Sequence, residues 1–549
     1  MAVIWHFRRC PPLGTLAFGR VPSGAKMNGG ILRNATTSPW RTAQAAVLLA
    51  GFYLLGFAIV AALVALDVFG VWMLAVDGPG FQLLVLTVPT TIFALFIVAR
   101  GVTVSTRFND LHVPGVAVTP EQEPELWARV RRLAAAMDAR GPKEIFIGYE
   151  PDAAVWEYGP LFGLLPGKRY MLIGAPLLLA LTPAQLDAAL GHELGHYANS
   201  DTRLGPLVNR GRIGLLTALR ISDRSLAVGA KPAARKRRRF EPRGWWYIAL
   251  TLQWYANLYF TLTDATSRAQ EYAADRAGAR VAGRDAMVSA LAELPVIAAA
   301  YRFYLKHYAY FGVPYGLLPE PAEVIGGFRS LIEDPQRQAE FQDRRGTASG
   351  RVSRFDSHPP LPDRLAALHR LPVGTPLVPS CADGPAVELL RDRRHVLAQV
   401  GEKMLGSSAA GKTRLDWPEL VDAVAFRSAD EIAAPLVRAV TTVAAVLPQG
   451  PRALLDAVDA GLLPTIVARL DPADRSDRAL ADRLRAWVLV TLAERGQVHW
   501  ELSWSRPAVL QAPPRAAALD AAVAALLAGP GHNTAPLRAI LDGDGSDLE

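Results

Sequence analysis

Cysteine is nearly absent from this chain of 549 residues. The two cysteines that occur, Cys10 and Cys381, lie far apart and match no spacing typical of metal ligands. This scarcity argues against a disulfide framework and favours two free thiols in a reducing compartment.

Charge is also scarce, because Asp, Glu, Lys and Arg make up 20% of the residues while hydrophobic types make up 51%. Soluble proteins contain about a quarter charged residues, so this balance favours a membrane protein. The formal net charge is +8, and much of the positive excess lies in one run from Lys231 to Arg243. Charge concentrated in one segment does not indicate general nucleic-acid affinity, and we predict no nucleic-acid partner.

Two uncharged stretches are long enough to cross a membrane as helices. Ala43 to Leu66 is interrupted only by Gln44, and Phe81 to Ala99 contains no charged residue. Each matches the roughly 20 apolar residues that a spanning helix needs. Buried helices of a soluble protein are the less favoured alternative. The short connection between the two spans is predicted to contain Asp67, Asp77, Gly78 and Pro79.

Basic residues flank the two spans on their outer sides: Lys26, Arg33 and Arg41 before the first, Arg100 and Arg107 after the second. The connection between the spans carries two aspartates and no Lys or Arg. Cytoplasmic segments next to spans are enriched in Lys and Arg, so both outer flanks are predicted to be cytoplasmic. We therefore predict a multi-pass protein of the cell membrane, with a cytoplasmic N-terminal segment over 1–42 and the chain after residue 99 on the same side.

Hydrophobic spacing predicts several elements after the second span. Pro120 to Arg140 is predicted to be an amphipathic helix, because its apolar residues recur at helical spacing. Glu144 to Gly148 and Arg169 to Gly174 are predicted strands around a connection rich in Gly and Pro. Thr182 to Ala198 is predicted to be a helix, since Thr182 suits the N-cap and Pro183 suits the first helical position.

A proline-rich segment from Pro372 to Pro385 is predicted to be a domain boundary. Beyond it, residues 386–549 are rich in Ala, Leu and Arg, with helical patterning that prolines interrupt. This C-terminal region is predicted to be all-α, and it contains no motif that indicates a chemical role.

The strongest chemical signal is at residues 192–196, which read His-Glu-Leu-Gly-His. On a helix, side chains four residues apart share one face, so His192 and His196 can hold one zinc ion. Glu193 projects beside them, where its carboxylate can accept a proton from the attacking water. A surface helix that carries two histidines by chance is the alternative, and the helical context makes it much less favoured.

A catalytic zinc ion usually has three protein ligands, so two histidines leave one ligand missing. The candidate lies in residues 267–275, which read SRAQEYAAD. Glu271 and Asp275 are four residues apart and share a helix face. Glu271 is predicted to be the third ligand, and Asp275 is predicted to accept a hydrogen bond from a ligand histidine and so fix its ring. Without the histidine motif, such a pair is more often a solvated helix face.

These segments together resemble metallopeptidase family forty-eight, which includes the bacterial HtpX proteases and the eukaryotic CAAX prenyl proteases. The resemblance covers about residues 100–372 and is carried by PELWARVRRLAAAM at 124–137, LTPAQLDAALGHELGHYANSD at 181–201, SRAQEYAAD at 267–275 and SHPPLPDRL at 357–365. It implies a zincin-type α+β metalloprotease domain with a small β-sheet, one zinc ion per chain and anchoring in a membrane.

The resemblance also implies roles for single residues. It supports Glu271 as the third zinc ligand, gives His358 a role in stabilising the transition state, and makes Arg364 a support for that segment. One position departs from the family, which often has Asn-Ala-Phe-Ala in an edge strand beside the metal. Here the stretch is Ala154 to Gly159, and Ala154 stands in the place of the asparagine. The change bears on substrate preference rather than on the metal site, since an edge strand can bind a peptide through its backbone.

A third hydrophobic stretch, Trp245 to Leu262, is uncharged and follows the basic run. Because His192, His196 and Glu271 must meet on one side of the membrane, the number of crossings between them must be even. The other candidate, Leu204 to Val228, carries four arginines, which are costly in hydrocarbon. We therefore favour a helix in the membrane interface for 245–262, with the basic run against anionic lipid. A solvated basic loop is the alternative for that run.

These observations predict a mainly α protein with a transmembrane helix hairpin (43–99), a zinc metalloprotease domain (100–372) and a C-terminal helical region (386–549). We expect it to hydrolyse peptide bonds of membrane or misfolded proteins at the cytoplasmic face, with membrane lipid as a second partner. A non-catalytic zinc-binding scaffold whose C-terminal region binds partners is the alternative, and the intact Glu193 argues against it. A prenyl-dependent CAAX enzyme is less favoured, because that branch is expected to have more spans.

The asymmetry of flanking charge generates a prediction of topology. A reporter fused after residue 105 and another at the C-terminus should both report the cytoplasm, whereas one fused near Val76 should report the outside. Alkaline phosphatase and fluorescent-protein fusions measure the two sides. An external C-terminus would contradict the prediction and would make residues 245–262 the first candidate for a further crossing.

Overall fold

The computed structural model describes most of the chain after residue 38. Its described residues are 39–76, 78–106, 113–158, 167–198, 254, 268–345, 359–379, 384–444, 450–472, 475–505, 508–512, 518–528 and 532–543. The predictions for the basic run 231–243, for the stretch 245–262 apart from Trp254, and for His358 therefore concern residues outside the described part.

Helices dominate the described residues. The first seven are α1 (Pro39–Ala75), α2 (Gly80–Thr106), α3 (Pro124–Ala136), α4 (Ala175–Ala180), α5 (Pro183–Ala198), α6 (268–282) and α7 (Arg284–Tyr304). They are followed by α8 (Glu323–Glu333), α9 (Pro335–Arg345), α10 (Leu361–His369), α11 (Arg393–Leu405), α12 (Trp417–Ala444), α13 (Arg452–Asp459), α14 (Leu463–Ala468), α15 (Asp477–Glu494), α16 (Leu519–Leu527) and α17 (Ala535–Asp542).

The described strands form three small sheets. The largest has four strands in the order β1-β2-β4-β3, namely β1 (Gly115–Val118), β2 (Glu144–Gly148), β4 (Lys168–Gly174) and β3 (Ala153–Tyr158). In it, β2 and β4 are parallel and the other two pairs are antiparallel. The two-stranded sheets pair β5 (Leu317–Pro319) with β6 (Thr413–Leu415), and β7 (His499–Glu501) with β8 (Val509–Gln511). The predicted strand 144–148 is confirmed, and the one predicted over 169–174 begins one residue earlier.

The two predicted spans fall on two long helices that pack against each other. Helix α1 has 37 residues and α2 has 27. Within α1, Leu54–Ala75 is long and apolar enough to cross a membrane, whereas the apolar stretch found in α2 is the shorter Gly80–Ile92. The helices approach closely at glycine, since a Cβ on Gly80 would lie 2.2 Å from the carbonyl oxygen of Gly70. Small residues allow such close approach between membrane helices.

Asp67 does not belong to the connection between the helices, contrary to the prediction. It lies inside α1, which continues to Ala75. The Thr91 hydroxyl on α2 donates a hydrogen bond of 2.7 Å to Asp67 Oδ2. This hydrogen bond gives Oδ2 a partner, whereas Oδ1 is buried without one among the described residues, so burial of Asp67 between the helices is only partly compensated.

A third long apolar segment is a core element rather than evidence of another span. Residues Arg284–Tyr315, which comprise α7 and the turns after it, also meet the length and composition of a spanning helix. However, Tyr301 and Tyr304 are 1% and 0% exposed and belong to the main hydrophobic core. The Tyr304 hydroxyl donates to the carbonyl of Glu323, at the start of α8, over 2.8 Å. Burial within the protein therefore explains the apolar composition of α7.

The helix predicted from Pro120 to Arg140 is shorter than expected. Helix α3 begins at Pro124 and ends at Ala136. Before it, Thr119 and Gln122 exchange hydrogen bonds of 2.9 and 3.3 Å between backbone and side chain, which close a turn. Proline disfavours helical geometry in the residue before it but suits the first helical turn, so Pro124 sets the start of the helix.

The described residues form two main hydrophobic cores, and the boundary between them lies within α12. The first core combines the four-stranded sheet with α3, α4, α5, α7, α8 and α11, and it extends along the chain to Val424. The second core begins at Ala429 and includes side chains of α13 to α17. Side chains on both sides of the predicted boundary therefore share the first core, as far as Val424. The domain limits at 372 and 386 stay a prediction.

The described part of the proline-rich segment is hydrogen bonded to the helices before it. The Val378 backbone N–H donates to the carbonyl of Val281, at the end of α6, over 3.0 Å. The Ala386 N–H donates to the carbonyl of Leu181, just before α5, over 2.7 Å. The segment after α10 thus contacts the end of one central helix and the start of another.

The C-terminal region is not entirely helical, contrary to the prediction. Strands β6, β7 and β8 lie within residues 386–549, and each has three residues. Strands this short show no alternation that can be recognised in a sequence. The β7–β8 hairpin is attached to α12 by a hydrogen bond of 2.8 Å from the Trp500 N–H to Asp422 Oδ1.

A buried carboxylate links the start of α3 to the start of α11. Glu123 is 1% exposed, and its two carboxylate oxygens accept hydrogen bonds from the backbone N–H groups of Arg391 and Asp392. These residues directly precede α11, where backbone N–H groups lack partners within the helix. Glu123 supplies those partners from a distant segment and so ties residues 391–405 to the first core.

Replacing Glu123 with alanine should therefore loosen the start of α11. Two N–H groups in partly buried hydrogen bonds would lose a charged acceptor, which costs about 2 kcal/mol of local stability. Hydrogen exchange measured by mass spectrometry should show faster exchange over residues 391–400. Glu125→Ala, at an exposed position on α3, is the matched control and should leave this exchange unchanged. Equal exchange in the two variants would contradict the role of Glu123.

Candidate metal centre

Helix α5 starts with a strong local signal. The Thr182 N–H donates to the Gln185 side chain over 2.9 Å, and the Gln185 N–H donates to the Thr182 hydroxyl over 3.3 Å. This reciprocal arrangement is a capping box, which satisfies N–H groups at a helix start. The predicted helix is confirmed, with Pro183 as its first residue.

The apolar face of α5 fixes its rotation and thereby aims the two histidines. Its innermost side chains are fully buried and recur every four residues: Leu186, Leu190 and Leu194. His192 and His196 are also four residues apart and lie on a neighbouring face. Their rings meet edge to face, with centroids 4.8 Å apart. The core thus holds both imidazoles on one side of the helix.

Helices α5 and α6 cross at backbone contact, which brings the two halves of the site together. A Cβ at Gly195 on α5 would lie 2.8 Å from the Cβ of Ala277 on α6. A Cβ at Gly278 on α6 would lie 2.7 Å from the carbonyl oxygen of Ala188 and 3.3 Å from the backbone nitrogen of His192. Only glycine fits at these two positions without separating the helices.

The search for ligand motifs did not identify these glycines as contact positions, although their spacing in the sequence indicates a close helix crossing. Gly191 and Gly195 are four residues apart on α5, and Ala274 and Gly278 are four apart on α6. Each pair therefore forms a strip of small residues along one helix face. Two such strips permit the close crossing that the metal ligands require.

Three potential ligands converge where the helices cross. Nε2 of His196 lies 3.2 Å from Nε2 of His192. Oε2 of Glu271 lies 3.6 Å from Nε2 of His192, and Oε1 lies 3.8 Å from Nε2 of His196. His192 and Glu271 are buried, whereas the His196 side chain is 27% exposed. The three groups surround one point that solvent can approach beside His196.

The spacing and type of these groups fit a zinc ion. Tetrahedral ligands at about 2.0–2.1 Å from zinc lie roughly 3.3 Å from one another, close to the separations of the three groups. Two imidazoles and one carboxylate are a known ligand set of catalytic zinc sites, which keep a fourth position open. His192, Glu193 and His196 also form a group whose potential ligand atoms all lie within 4.8 Å of one another.

Asp275 fixes the orientation and proton position of His192. Nδ1 of His192 lies 2.9 Å from Oδ1 of Asp275. Burial raises the pKa of Asp275, but hydrogen bonds from Arg364 and His192 outweigh burial and lower the pKa to about 2. The carboxylate is therefore ionised at neutral pH and can only accept, so Nδ1 carries the proton. Nε2 of His192 then presents its lone pair, as a zinc ligand must.

Arg364 completes this network from α10. Its Nε donates to Asp275 Oδ2 over 2.9 Å, and its Nη2 donates to Asp275 Oδ1 over 2.5 Å. Nη2 also lies 3.7 Å from Oε2 of Glu271. Burial lowers the pKa of Arg364, but the neighbouring carboxylates outweigh burial and raise it. A buried guanidinium needs such partners, and here they are the two carboxylates of α6.

The predicted site residues meet in one network as far as the described residues extend: His192, His196, Glu271, Asp275 and Arg364. Glu193 is half-buried beside the two histidines. His358 lies outside the described residues, six positions before Arg364 in the sequence. The geometry is as the motifs predicted, while the chemical role of each residue stays a prediction.

A second buried ion pair also positions α5, and sequence reasoning did not find it. Asp187 on α5 is 0% exposed, and Arg129 on α3 is 8% exposed. Nε of Arg129 donates to Asp187 Oδ1 over 2.8 Å, and Nη2 donates to Oδ2. The hydrogen bond to Asp187 raises the pKa of Arg129. Nothing in one sequence pairs an arginine with an aspartate 58 residues away.

Strand β3 lies at the edge of the four-stranded sheet and packs against α5. Among the described strands it pairs only with β4. Val155 points into the core, so Ala154 and Trp156 point to the opposite face by alternation. The stretch that corresponds to the family's edge strand is therefore an edge strand next to the metal-binding helix.

Asp275→Asn tests the network around His192. The amide keeps the shape of the carboxylate but loses the charge that pairs with Arg364 and holds the Nδ1 proton. Wild type should bind about one zinc ion per chain, and the variant should bind zinc about 10–100-fold more weakly. Competition with a chromophoric chelator measures the affinity. Asp430→Asn, at an exposed position on α12, is the control and should bind zinc as wild type does. Unchanged affinity in Asp275→Asn would refute the assigned role.

Comparison with known proteins agrees with this geometry. Residues 120–371 match the model of Peptidase family M48. A Protease HtpX homolog from Pyrobaculum aerophilum is 27% identical over 281 residues, which cover 48% of this chain and 73% of the relative. A homolog of the same name from Moorella thermoacetica is 31% identical over 167 residues, covering 30% of this chain and 52% of the relative. Protease HtpX from Xanthomonas campestris pv. campestris is 28% identical over 259 residues, covering 46% and 75%. No solved structure gives a significant match.

The family match spans α3 to α10 and so contains both metal-binding helices and Arg364. The relatives bear the name of one protease. Residues 120–371 of this chain are therefore similar to peptidase family M48, and the relatives named here are HtpX proteases.

Proposed function

We propose that this protein is a zinc-dependent metalloendopeptidase that hydrolyses membrane or misfolded proteins at the cytoplasmic face of the membrane. The observation that carries the proposal is the convergence of His192, His196 and Glu271, with Glu193 beside them. Similarity to the family makes proteolysis the reaction class. The nitrogen and oxygen ligand set makes zinc the preferred metal.

Glu193 is the group that moves protons in this mechanism. A zinc ion held by His192, His196 and Glu271 supplies Lewis acidity, which favours attack of water on the scissile carbonyl. The Glu193 carboxylate accepts the proton of that water and then donates it to the nitrogen of the leaving amine. His358 is proposed to share the negative charge that develops on the carbonyl oxygen.

Asp275 and Arg364 keep the ligand set in its working state. Because Asp275 accepts from Nδ1 of His192, that ring keeps one fixed tautomer and directs Nε2 toward the metal position. Arg364 balances the charge of Asp275 inside the protein and also lies 3.7 Å from Oε2 of Glu271. Both residues are therefore proposed to act through the ligands, which they contact directly.

The substrate is proposed to lie as an extended segment along β3. An edge strand offers backbone N–H and C=O groups to a peptide of any sequence, and side-chain pockets add preference. Alanine at position 154 offers no side-chain amide to such a peptide. Recognition mainly through the backbone suits substrates that expose unstructured segments, as misfolded proteins do.

The membrane location is proposed from α1 and α2. The apolar segment Leu54–Ala75 of α1 suits a bilayer span, and α2 returns along it. Basic residues flank both helices on the side that carries the metal centre, which favours the cytoplasmic face. A peptidase held in this way meets membrane proteins at high local concentration.

Glu193→Gln separates catalysis from metal binding. The amide keeps the shape of the side chain but cannot accept the proton, so cleavage of casein or a fluorogenic peptide should fall by roughly two to four orders of magnitude. Zinc content should remain near that of wild type, because Glu193 is not a proposed ligand. His192→Ala should lose activity and zinc together.

The control for this substitution is Glu125→Gln, at an exposed position on α3, which should retain wild-type activity. Wild-type cleavage by Glu193→Gln, with contaminating proteases excluded by serine- and cysteine-protease inhibitors and by a mock purification, would remove Glu193 as the base. A wild-type protein that holds zinc yet cleaves no member of a broad peptide library would favour the scaffold alternative.

A further inference from the structure

The face of the four-stranded sheet that points away from the core is aromatic. Side chains alternate along strands, and those on the inner face are fully buried: Ile145, Ile147, Met171 and Ile173. On the outer face, Phe146, Trp156 and Tyr170 are half-buried, with ring centroids between 5.8 and 6.4 Å apart. In the described part of the chain, this aromatic face (Phe146, Trp156 and Tyr170) belongs to none of the hydrophobic cores.

Basic residues gather at one end of the aromatic face. Because β2 and β4 are parallel and β3 is antiparallel to β4, the starts of β2 and β4 lie beside the end of β3. This end carries a basic rim, which consists of Arg140, Lys143, Lys168 and Arg169. Glu144 and Glu157 are the acidic residues of the same strand ends, so cations outnumber anions there.

The two lysines of the basic rim face solvent, while its arginines are already paired. Nη2 of Arg140 donates to Oε1 of Glu157 over 2.8 Å, and Nε of Arg169 donates to Oε2 over 2.9 Å. Lys143 and Lys168 are exposed. Their charges are therefore available to a partner that carries negative charge.

The sequence between β3 and β4 is strongly apolar. Residues 159–166 read Gly-Pro-Leu-Phe-Gly-Leu-Leu-Pro and contain no charged residue. Connections between strands in soluble proteins are usually polar. An apolar connection flanked in the sequence by Trp156, Tyr158, Lys168 and Arg169 instead has the composition of segments that lie in a membrane interface.

We propose that the aromatic face and the basic rim contact the headgroup region of an anionic membrane, as a second attachment besides α1 and α2. Trp and Tyr rings favour the boundary between headgroups and acyl chains, and the exposed lysines attract anionic headgroups. Lipid is the occupant that matches all three features, since it offers negative charge at its surface and apolar volume below it. The proposal relies on the membrane anchoring proposed above.

The chain between α2 and the sheet is long enough for this contact. Helix α2 ends at Thr106 and β1 begins at Gly115. Nine residue steps extend to about 30 Å, so the length of the connection permits the aromatic face to reach the membrane surface. In that orientation β3, the proposed substrate strand, lies beside the bilayer, where segments that emerge from the membrane can reach it.

Fluorescence quenching by labelled lipid tests the contact in the full chain. Ala117 is exposed and lies opposite Phe146 in the pairing of β1 with β2, so it shares the outer face. Ala117→Cys, with Cys10 and Cys381 replaced by serine, is labelled with a polarity-sensitive fluorophore and placed in nanodiscs of phosphatidylcholine and phosphatidylserine. Val373→Cys, at a position 70% exposed, is the matched control. Doxyl lipids should quench the label at 117 several times more strongly than the label at 373.

Two variants separate the sources of the contact. Lys143→Gln with Lys168→Gln should reduce the ratio of docked to undocked forms by about fivefold for each lysine in anionic nanodiscs, and should change little in pure phosphatidylcholine. Trp156→Ser should reduce quenching at 117 in both lipids, because it removes apolar contact rather than charge.

Equal quenching at 117 and 373 in a chain that incorporates into nanodiscs would overturn the proposal and leave the peptidase function untouched. Failure to incorporate would instead contradict the anchoring by α1 and α2. If Trp156→Ser slowed the cleavage of a water-soluble peptide and left quenching unchanged, the aromatic face would bind substrate rather than lipid, and the proposal would be wrong.

Discussion

The close crossing of α5 and α6 is the constraint on which the site depends. Each helix carries two of the site's groups four residues apart, so a single crossing places all four at once. The crossing must be closer than ordinary side chains allow, and Gly195 and Gly278 make it so. A methyl group at either position would collide with atoms of the facing helix and push the two helices apart. His192 and Glu271 would then no longer share one metal ion, because their 3.6 Å separation tolerates little displacement.

Charge buried around the crossing is balanced by pairs that come from other segments. Arg364 reaches from α10 to Asp275, and Arg129 reaches from α3 to Asp187. Removing one partner of such a pair leaves an uncompensated charge, which is far more costly than the pair itself. Arg129, which precedes α5 in the sequence, therefore fixes α5, and Arg364, which follows α6, fixes α6. These pairs help to position a site that is assembled from distant segments of the sequence.

Local patterns predicted the parts of this structure that local physics determines. The strand 144–148, the N-cap at Thr182 and the spacing of the proposed ligands on α5 and α6 all depend on residues within one or two turns. Features decided by distant partners were missed. Asp67 lies within α1, where Thr91 on another helix donates to it, and Asp187 is buried because Arg129 pairs with it. Strands β6 to β8 form by pairing with other segments, and a run of three residues is too short to show the alternation that predicts a strand. Pro124 is a local signal for the start of α3, but the prediction followed the longer hydrophobic pattern and began the helix at Pro120.

The peptidase match ends at residue 371, yet the core that supports the site continues to Val424. The segments after residue 371 form hydrogen bonds at the ends of α5 and α6. The Val378 N–H satisfies a carbonyl at the end of α6, and the Ala386 N–H satisfies one just before α5. Farther on, residues 391 and 392 are held by the buried Glu123 carboxylate at the start of α3. Backbone groups at helix ends need partners when they are buried, and here the residues after 371 supply or receive them. The structural unit that supports the site is therefore larger than the segment that matches the peptidase family. Segments after residue 371, which carry no sequence motif, help to hold α5 and α6 in place.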